Sequence, residues 1–226
     1  WIPFKSSAIK LDQINITITY NKNTFRYYNS RKLTGNIKSG SFVEDSQGRW
    51  YICLAVDIPE KEHHINSNSE IGIDMGIKDK LCLSDGTKFS RDNITKKYEN
   101  KLAAMQRAKR KKQVRKLSVK IKNIRNDWNH KVTSKIAKQF ENIYLGNFKM
   151  TGLISENVSE INKSLYDSSP YQLRSFLEYK ARKLGGRCSL VDEAYTTQTC
   201  SACFRCSGPQ GVRGLKIRSW VCSHCH

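Results

Sequence analysis

The spacing of apolar residues divides the chain into stretches of different period. Over residues 1–58 the pattern is that of strands. Ile16-Thr-Ile-Thr-Tyr20, Ser41-Phe-Val43 and Trp50-Tyr-Ile-Cys-Leu-Ala-Val56 alternate or cluster β-branched and aromatic residues between Asn, Gly and Ser turns. Asp45-Ser-Gln-Gly48 predicts a hairpin turn, and Pro59 to Ser69 has the polar, apolar-poor composition of a linker. A second strand-rich block follows: Ile71-Gly-Ile-Asp-Met-Gly76, Lys80-Leu-Cys-Leu-Ser84 and, across the turn Asp85-Gly86, Thr87-Lys-Phe89. The period then lengthens. Leu117, Ile121, Ile124, Trp128, Val132 and Ile136 make one apolar stripe at helical spacing, and no Gly or Pro interrupts from Asn100 to Leu145. One helical segment is therefore predicted up to about Glu141. Asn142-Ile-Tyr-Leu145 reads as a strand ended by Gly146-Asn147, and residues 149–168 as a Ser/Asn-rich loop with a short helix. Pro170 suits a helix start, and Tyr171 to Leu184 stays helical until Gly185-Gly186. Arg187-Cys-Ser-Leu-Val191 reads as a buried strand, and no internal repeat is present.

Composition and charge narrow the function. The 226 residues suffice for one large domain or two small ones, and 38% hydrophobic residues argue against wholesale disorder. The longest apolar runs are a few residues, far short of the roughly 20 that span a bilayer. No charged-then-apolar leader opens the chain, so a cytoplasmic location is expected, and a start at Trp1 rather than Met suggests a truncated beginning. Forty Lys and Arg against 20 Asp and Glu give a net charge of +20, which points to a polyanionic partner. Between Lys96 and Lys138 sixteen Lys and Arg face only Glu99 and Asp127, so +14 of the charge sits on the predicted helical segment. Many charge runs are merely solvated faces. Here the surplus is almost free of acid and lies on an element long enough to cross a groove, which favours phosphate contact with strong salt dependence. Arg107, Lys109, Arg110, Lys111, Lys112, Arg115, Lys116, Lys120, Lys122 and Arg125 are the candidate nucleic-acid-binding residues.

Eight cysteines could suggest an oxidised secreted protein, but their spacing argues for metal. Cys200-Ser-Ala-Cys203, 18 residues and Cys222-Ser-His-Cys225 make the paired knuckles of a zinc ribbon, in which four thiolates reach one tetrahedral Zn²⁺. Cys206 and His226 are spare candidates, and Cys53, Cys82 and Cys188 sit singly in strand-like runs.

The order strand, hairpin, helix, strand, helix, strand, with Asp74 in the first strand, is that of an RNase H-like domain. Within it, Ile71-Gly-Ile-Asp-Met-Gly-Ile-Lys78 with Ser84-Asp-Gly86 resembles the first RuvC motif of TnpB, the transposon-encoded RNA-guided nucleases related to type V CRISPR effectors. Leu177-Glu-Tyr-Lys180, Gly185-Gly186 and Tyr195-Thr-Thr-Gln-Thr-Cys-Ser-Ala-Cys203 are similar to the segment leading into that family's zinc ribbon, and Cys222-Ser-His-Cys225 to its second knuckle. The resemblance runs over nearly the whole chain. It implies an α/β architecture: a β-rich wedge-domain fragment with linker (1–66), an RNase H-like RuvC domain (67–193) with a basic helical insertion (92–141), and a C-terminal zinc ribbon (194–226). It further implies a prokaryotic cytoplasm, guide RNA and target DNA as partners, no membrane, and RuvC chemistry, in which carboxylates converge on two Mg²⁺ ions.

Asp74 is the first expected Mg²⁺ ligand, since a strand-borne Asp between Gly72 and Gly76 in an apolar run is poorly explained as a surface residue. Where the family carries Glu-Asp, this chain has Gly146-Asn147, which offers at most the neutral oxygen of Asn147. A dead nuclease kept as an RNA-guided DNA-binding repressor would explain the loss. A relocated acid explains it as well. Glu193 stands at the end of the next strand, and neighbouring strands lie about 4.8 Å apart. Some relatives, including eukaryotic homologues, resemble this arrangement. Glu193 is the expected second catalytic carboxylate, while Asp192 should point to the other face. The third acid follows the second knuckle in the family, and the chain ends at His226, so residues 1–226 alone are expected to lack nuclease activity. A plain zinc-ribbon nucleic-acid-binding protein without a guide is a further alternative.

Lesser signals carry lesser expectations. His130 suits helix packing or the surface, and His63-His64 is assigned no role. Tyr195, Thr196, Thr197 and Gln198 suit either a backbone contact with nucleic acid or a simple turn into the ribbon. Arg205, Arg213, Lys216 and Arg218 decorate that ribbon.

Overall fold

A computed structural model describes residues 1–30, 33–57, 69–147, 159–210, 214, 217 and 219–226. The expected linker up to residue 68, His63-His64, the first part of the 149–168 loop, Arg213, Lys216 and Arg218 lie outside the described residues.

The N-terminal part forms two small antiparallel sheets. In one, β1 (Ile2–Lys5) pairs with β5 (Asn36–Glu44), which pairs with β6 (Trp50–Asp57). The β5–β6 hairpin closes at Asp45, whose Oδ1 accepts from the Gln47 and Arg49 amides at 2.8 and 3.0 Å. The other is a meander of β2 (Ile9–Asp12), β3 (Thr17–Tyr20) and β4 (Asn23–Arg26). Rings of Phe4, Tyr20, Phe25 and Phe42, with centroids 5.1 to 6.0 Å apart, join the two sheets.

The central sheet is mixed, and it positions the candidate chemistry. Its order is β9 (Lys88–Ser90), β8 (Asp79–Leu83), β7 (Glu70–Asp74), β10 (Asn142–Gly146), β11 (Arg187–Val191). β10 runs parallel to both β7 and β11, whereas β8 is antiparallel to its two neighbours. Alternation sorts the faces. Ile71, Ile73, Ile143 and Leu145 enter a core completed by Met75, Leu81 and Leu83 and by two helices, α2 (Lys111–Gln139) and α4 (Pro170–Lys183). Val132, Ile136, Leu173, Leu177 and Ala181 of those helices pack onto the sheet. Asp74 alternates away from that core and is exposed.

Two expectations are corrected. The basic segment is a helical hairpin instead of one helix: α1 (Ile94–Arg107) and α2 are separated by Ala108–Arg110, where Lys109 is left-handed at φ +53°. Ile94, Tyr98, Leu102 and Met105 of α1 cover Leu117, Ile121 and Ile124 of α2. Burying several such side chains at roughly 1.5–3 kcal/mol each outweighs the roughly 1–2 kcal/mol of one left-handed residue, so the chain folds back without Gly or Pro. The Arg187–Val191 strand is an exposed edge, with only Cys188 packed against the core. A short apolar run does not distinguish an edge strand from a central one.

A buried polar knot ties the hairpin to α3 (Ser159–Ser168). The Asp167 carboxylate accepts from Arg91 Nη2 at 3.1 Å, the Thr95 amide at 3.2 Å and Thr95 Oγ1 at 2.9 Å. The side chains of Arg91 and Asp167 are 5% and 0% exposed, and the guanidinium lies 5.2 Å from the Trp128 ring centroid. No helix among the described residues is long and apolar enough to cross a membrane.

Candidate functional site

Three positions meet at one end of the central sheet. Asp74 is the last residue of β7 and Gly146 the last of β10. Leu145 pairs with Ile73, and the next step of this register brings Gly146 beside Asp74. Gly146 is also level with Val191, after which the chain leaves the edge strand through Asp192 and Glu193. The Asn147 amide donates to the Val191 carbonyl at 2.9 Å, which holds the two strand ends together.

From there the Glu193 side chain folds back over β10. A Cβ built on Gly146 would lie 1.5 Å from Glu193 Oε1, 2.2 Å from Cδ and 2.9 Å from Oε2. The carboxylate thus occupies the volume that any side chain at position 146 would need. The Glu193 backbone is held as well, because its carbonyl accepts from the Thr196 amide at 3.3 Å and from Thr196 Oγ1 at 3.0 Å. Burial raises the Glu193 pKa above the usual carboxylate range, and the negative charges of Asp74 and Asp192 add to the shift. A carboxylate whose ionisation is opposed by a neighbouring acid at a strand end is suited to share a hard cation with it through oxygen ligands. Asp192 is turned elsewhere: its Oδ1 accepts from the Ala194 amide at 3.1 Å.

The second candidate site is the cysteine cluster. Sγ atoms of Cys200, Cys203, Cys222 and Cys225 all lie within 4.8 Å of one another. Cys200 and Cys225 are 3.5 Å apart and Cys203 and Cys222 3.6 Å, too far for disulfides, whose S–S length is about 2.05 Å. Four sulfurs about 2.3 Å from a tetrahedral ion would be about 3.8 Å apart, so the set fits a metal. A hydrogen bond with Ser207 Oγ at 3.2 Å and one from the His224 amide lower the Cys222 pKa to about 5. Hydrogen bonding with Cys200 and the other thiols pushes Cys225 up to about 12. Cys206 stands outside the cluster, with its sulfur 3.5 Å from Gln198 Oε1.

Of the ten candidate nucleic-acid-binding cations, Arg107, Lys109, Arg110, Lys111, Lys112, Arg115, Lys116, Lys120 and Lys122 are exposed on the α1–α2 hairpin. Arg125 is half-buried and donates to the Tyr166 carbonyl at 3.3 Å. His130 stacks on Phe176 with ring centroids 4.0 Å apart, and burial followed by the Lys180 charge lowers its pKa. Sequence reasoning missed the Arg91–Asp167 knot. Its partners are 76 residues apart, and neither Arg91 nor Asp167 lies in a recognisable motif.

The chain is similar to known proteins. Residues 171–226 match the family described as Cas12f1-like, TNB domain. The chain is 33% identical over 240 residues to an Escherichia coli (strain K12) protein named, provisionally, RNA-guided DNA endonuclease InsQ, covering 95% of this chain and 60% of that protein. It is 23% identical to TnpB-like protein L79 of Acanthamoeba polyphaga mimivirus over 77% of this chain and 38% of the relative. A solved Cas12f1–sgRNA–target DNA complex aligns with TM-score 0.44 and 21% identity, covering 74% of this chain and 45% of that one. The chain therefore spans 38% to 60% of the length of these two curated relatives. It is TnpB-like, and its residues 171–226 carry a Cas12f1-like TNB domain.

Proposed function

We propose that the chain is the wedge, RuvC-like and zinc-ribbon portion of an RNA-guided DNA endonuclease of the TnpB type, with Asp74 and Glu193 as catalytic carboxylates. The observation that carries this reading is the placement of the Glu193 carboxylate in the space over Gly146, beside Asp74. A glycine where the family has an acid would by itself suit a dead nuclease. A glycine whose side-chain volume is filled by a glutamate just past the end of the next strand suits an exchange of positions. The order β9-β8-β7-β10-β11 with β8 antiparallel supports an RNase H-like sheet.

Mg²⁺ held at Asp74 and Glu193 would supply activated water and charge neutralisation at the leaving oxygen of a phosphodiester. The protein's own share is positional. β7 fixes Asp74, and Thr196 fixes the Glu193 backbone. The four cysteines would hold structural Zn²⁺, and the exposed cations of the α1–α2 hairpin would meet guide RNA and target DNA through phosphates. Sequence would be read by guide pairing.

The test uses the full-length protein loaded with guide. Glu193→Gln should abolish target cleavage and leave target binding intact. Undiminished cutting by that variant would sink the assignment of Glu193.

A further inference from the structure

Two residues near the cysteine cluster combine left-handed backbone with a solvent-facing aromatic ring. Phe204, directly after Cys203, has φ +58° and is 79% exposed. Tyr195, two residues beyond Glu193, has φ +64° and is 66% exposed. Each such backbone costs roughly 1–2 kcal/mol for a residue with a Cβ.

At Phe204 the knuckle dictates the backbone. The Phe204 amide donates to the Cys200 carbonyl and the Cys200 amide to the Arg205 carbonyl, both at 2.9 Å, which closes the turn around the sulfurs. Those bonds require a left-handed residue but not a phenylalanine, since glycine adopts that conformation freely. Nor does packing explain the ring, because a side chain so exposed buries little. An aromatic therefore stands where the backbone favours glycine and water favours a polar group, the combination in which a local cost signals a use elsewhere.

The surroundings indicate what the ring meets. Val221, next to Cys222, is likewise exposed, at 74%. Arg205, next to Phe204 in sequence, has its Nη1 3.2 Å from His224 Nδ1. Residues 194–226 contain four Lys and Arg and no Asp or Glu. An exposed ring on an acid-free, basic module matches single-stranded nucleic acid, whose bases stack while its phosphates meet cations.

We infer that Phe204, assisted by Tyr195, is a stacking platform for an unpaired base of the DNA strand that enters the Asp74–Glu193 site. This rests on the function proposed above and adds a residue that positions the strand. Tyr195 lies between Glu193 and the first knuckle in sequence, two residues from the carboxylate and five from Cys200.

The experiment compares Phe204→Gly, Phe204→Leu and Phe204→Trp in the full-length, zinc-loaded protein. The probe is a fluorescein-labelled oligodeoxythymidylate of about 15 nucleotides, together with an abasic strand of equal length and charge. Phe204→Gly relieves the backbone, so zinc content should be unchanged and the melting temperature equal or higher. Its affinity for the oligodeoxythymidylate should still fall about 5- to 150-fold. Phe204→Leu should lose a similar factor and Phe204→Trp should retain affinity, while all forms bind the abasic strand alike. Wild-type affinity in Phe204→Gly, or full affinity in Phe204→Leu, overturns the inference. So does an equal loss on the abasic strand. Guided cleavage by the wild type, read separately, tests the proposed function. Its absence, with base-dependent loss in Phe204→Gly, would leave the platform standing and remove the nuclease.

Discussion

An alanine at position 146 isolates the placement of Glu193 from the rest of the fold. Gly146 lies in β10 and is not among the left-handed glycines, so an added Cβ introduces no backbone strain. Replacing glycine within a strand gains roughly 0.5–1 kcal/mol. Against this, the new Cβ would stand 1.5 Å from Glu193 Oε1 and 2.2 Å from its Cδ. Ordinary contact needs about 3.5 Å, so the carboxylate must retreat by about 2 Å. What moves is the far end of a flexible side chain, and an off-rotamer torsion costs about 0.5–1.5 kcal/mol. The two contributions nearly cancel, and Gly146→Ala should unfold within about 1 kcal/mol of wild type. Activity has no such compensation, because a misplacement of about 1 Å in a catalytic group can cost about 100-fold. Single-turnover cleavage of a labelled target by the guide-loaded full-length protein should therefore slow by at least about 100-fold. Target binding and the thermal midpoint should stay near wild type. Returning the acid to β10, as Gly146→Glu with Glu193→Ala, should recover part of the rate, since both positions reach one volume. Cleavage by Gly146→Ala at the wild-type rate would refute the reasoning, because the carboxylate over Gly146 could not then be where the chemistry happens.

Other features yield measurable outcomes. Lys111, Lys112, Arg115 and Lys116 are exposed, so changing all four to glutamine should leave the melting temperature unchanged. The same change should reduce the slope of log affinity against log salt by up to about 3–4 on duplex DNA, and an unchanged slope would remove the hairpin from the interface. Asp167→Ala leaves the buried Arg91 without its counter-charge and should cost about 3–5 kcal/mol in urea denaturation. Glu193 has a folded-state pKa raised by burial and then by Asp74 and Asp192. The native state therefore binds this proton more tightly than the unfolded chain does, and stability falls as pH rises from the unfolded-state pKa through the folded one. In EDTA at neutral pH, Glu193→Gln should be at least as stable as wild type, and a lower midpoint would contradict the shift.

What the sequence reveals and what it hides follow from the range of each interaction. β7, the turn between β8 and β9, β10 and α4 are legible because alternation, Asp-Gly and Pro-to-Gly punctuation are local signals. The cysteine cluster is legible because two Cys-x-x-Cys pairs constrain geometry within a few residues. The break at Lys109 is not. It contains no Gly or Pro, and it exists because two apolar stripes cover each other. Nor is the exposure of β11 legible, since its lack of an outer neighbour is a property of the sheet order and not of Arg187–Val191. The Arg91–Asp167 pair depends on tertiary placement, and no spacing rule reaches across such a separation.

The edge position of β11 also bears on the carboxylates. β10 is flanked on both sides, so its last residue has only the open face of the sheet into which to project a side chain. Among the described residues, β11 has no strand beyond it. The chain after Val191 is free to turn, and its carbonyl and side-chain directions are set by Thr196 and the descent into the cysteine cluster. Glycine at 146 empties the one volume both strand ends can reach, and Glu193 enters it from the edge. The same backbone can thus present a carboxylate beside Asp74 from either strand, provided that the other contributes no side chain there. Position 146 and position 193 are coupled by exclusion, so a substitution at either has to be read together with the residue at the other.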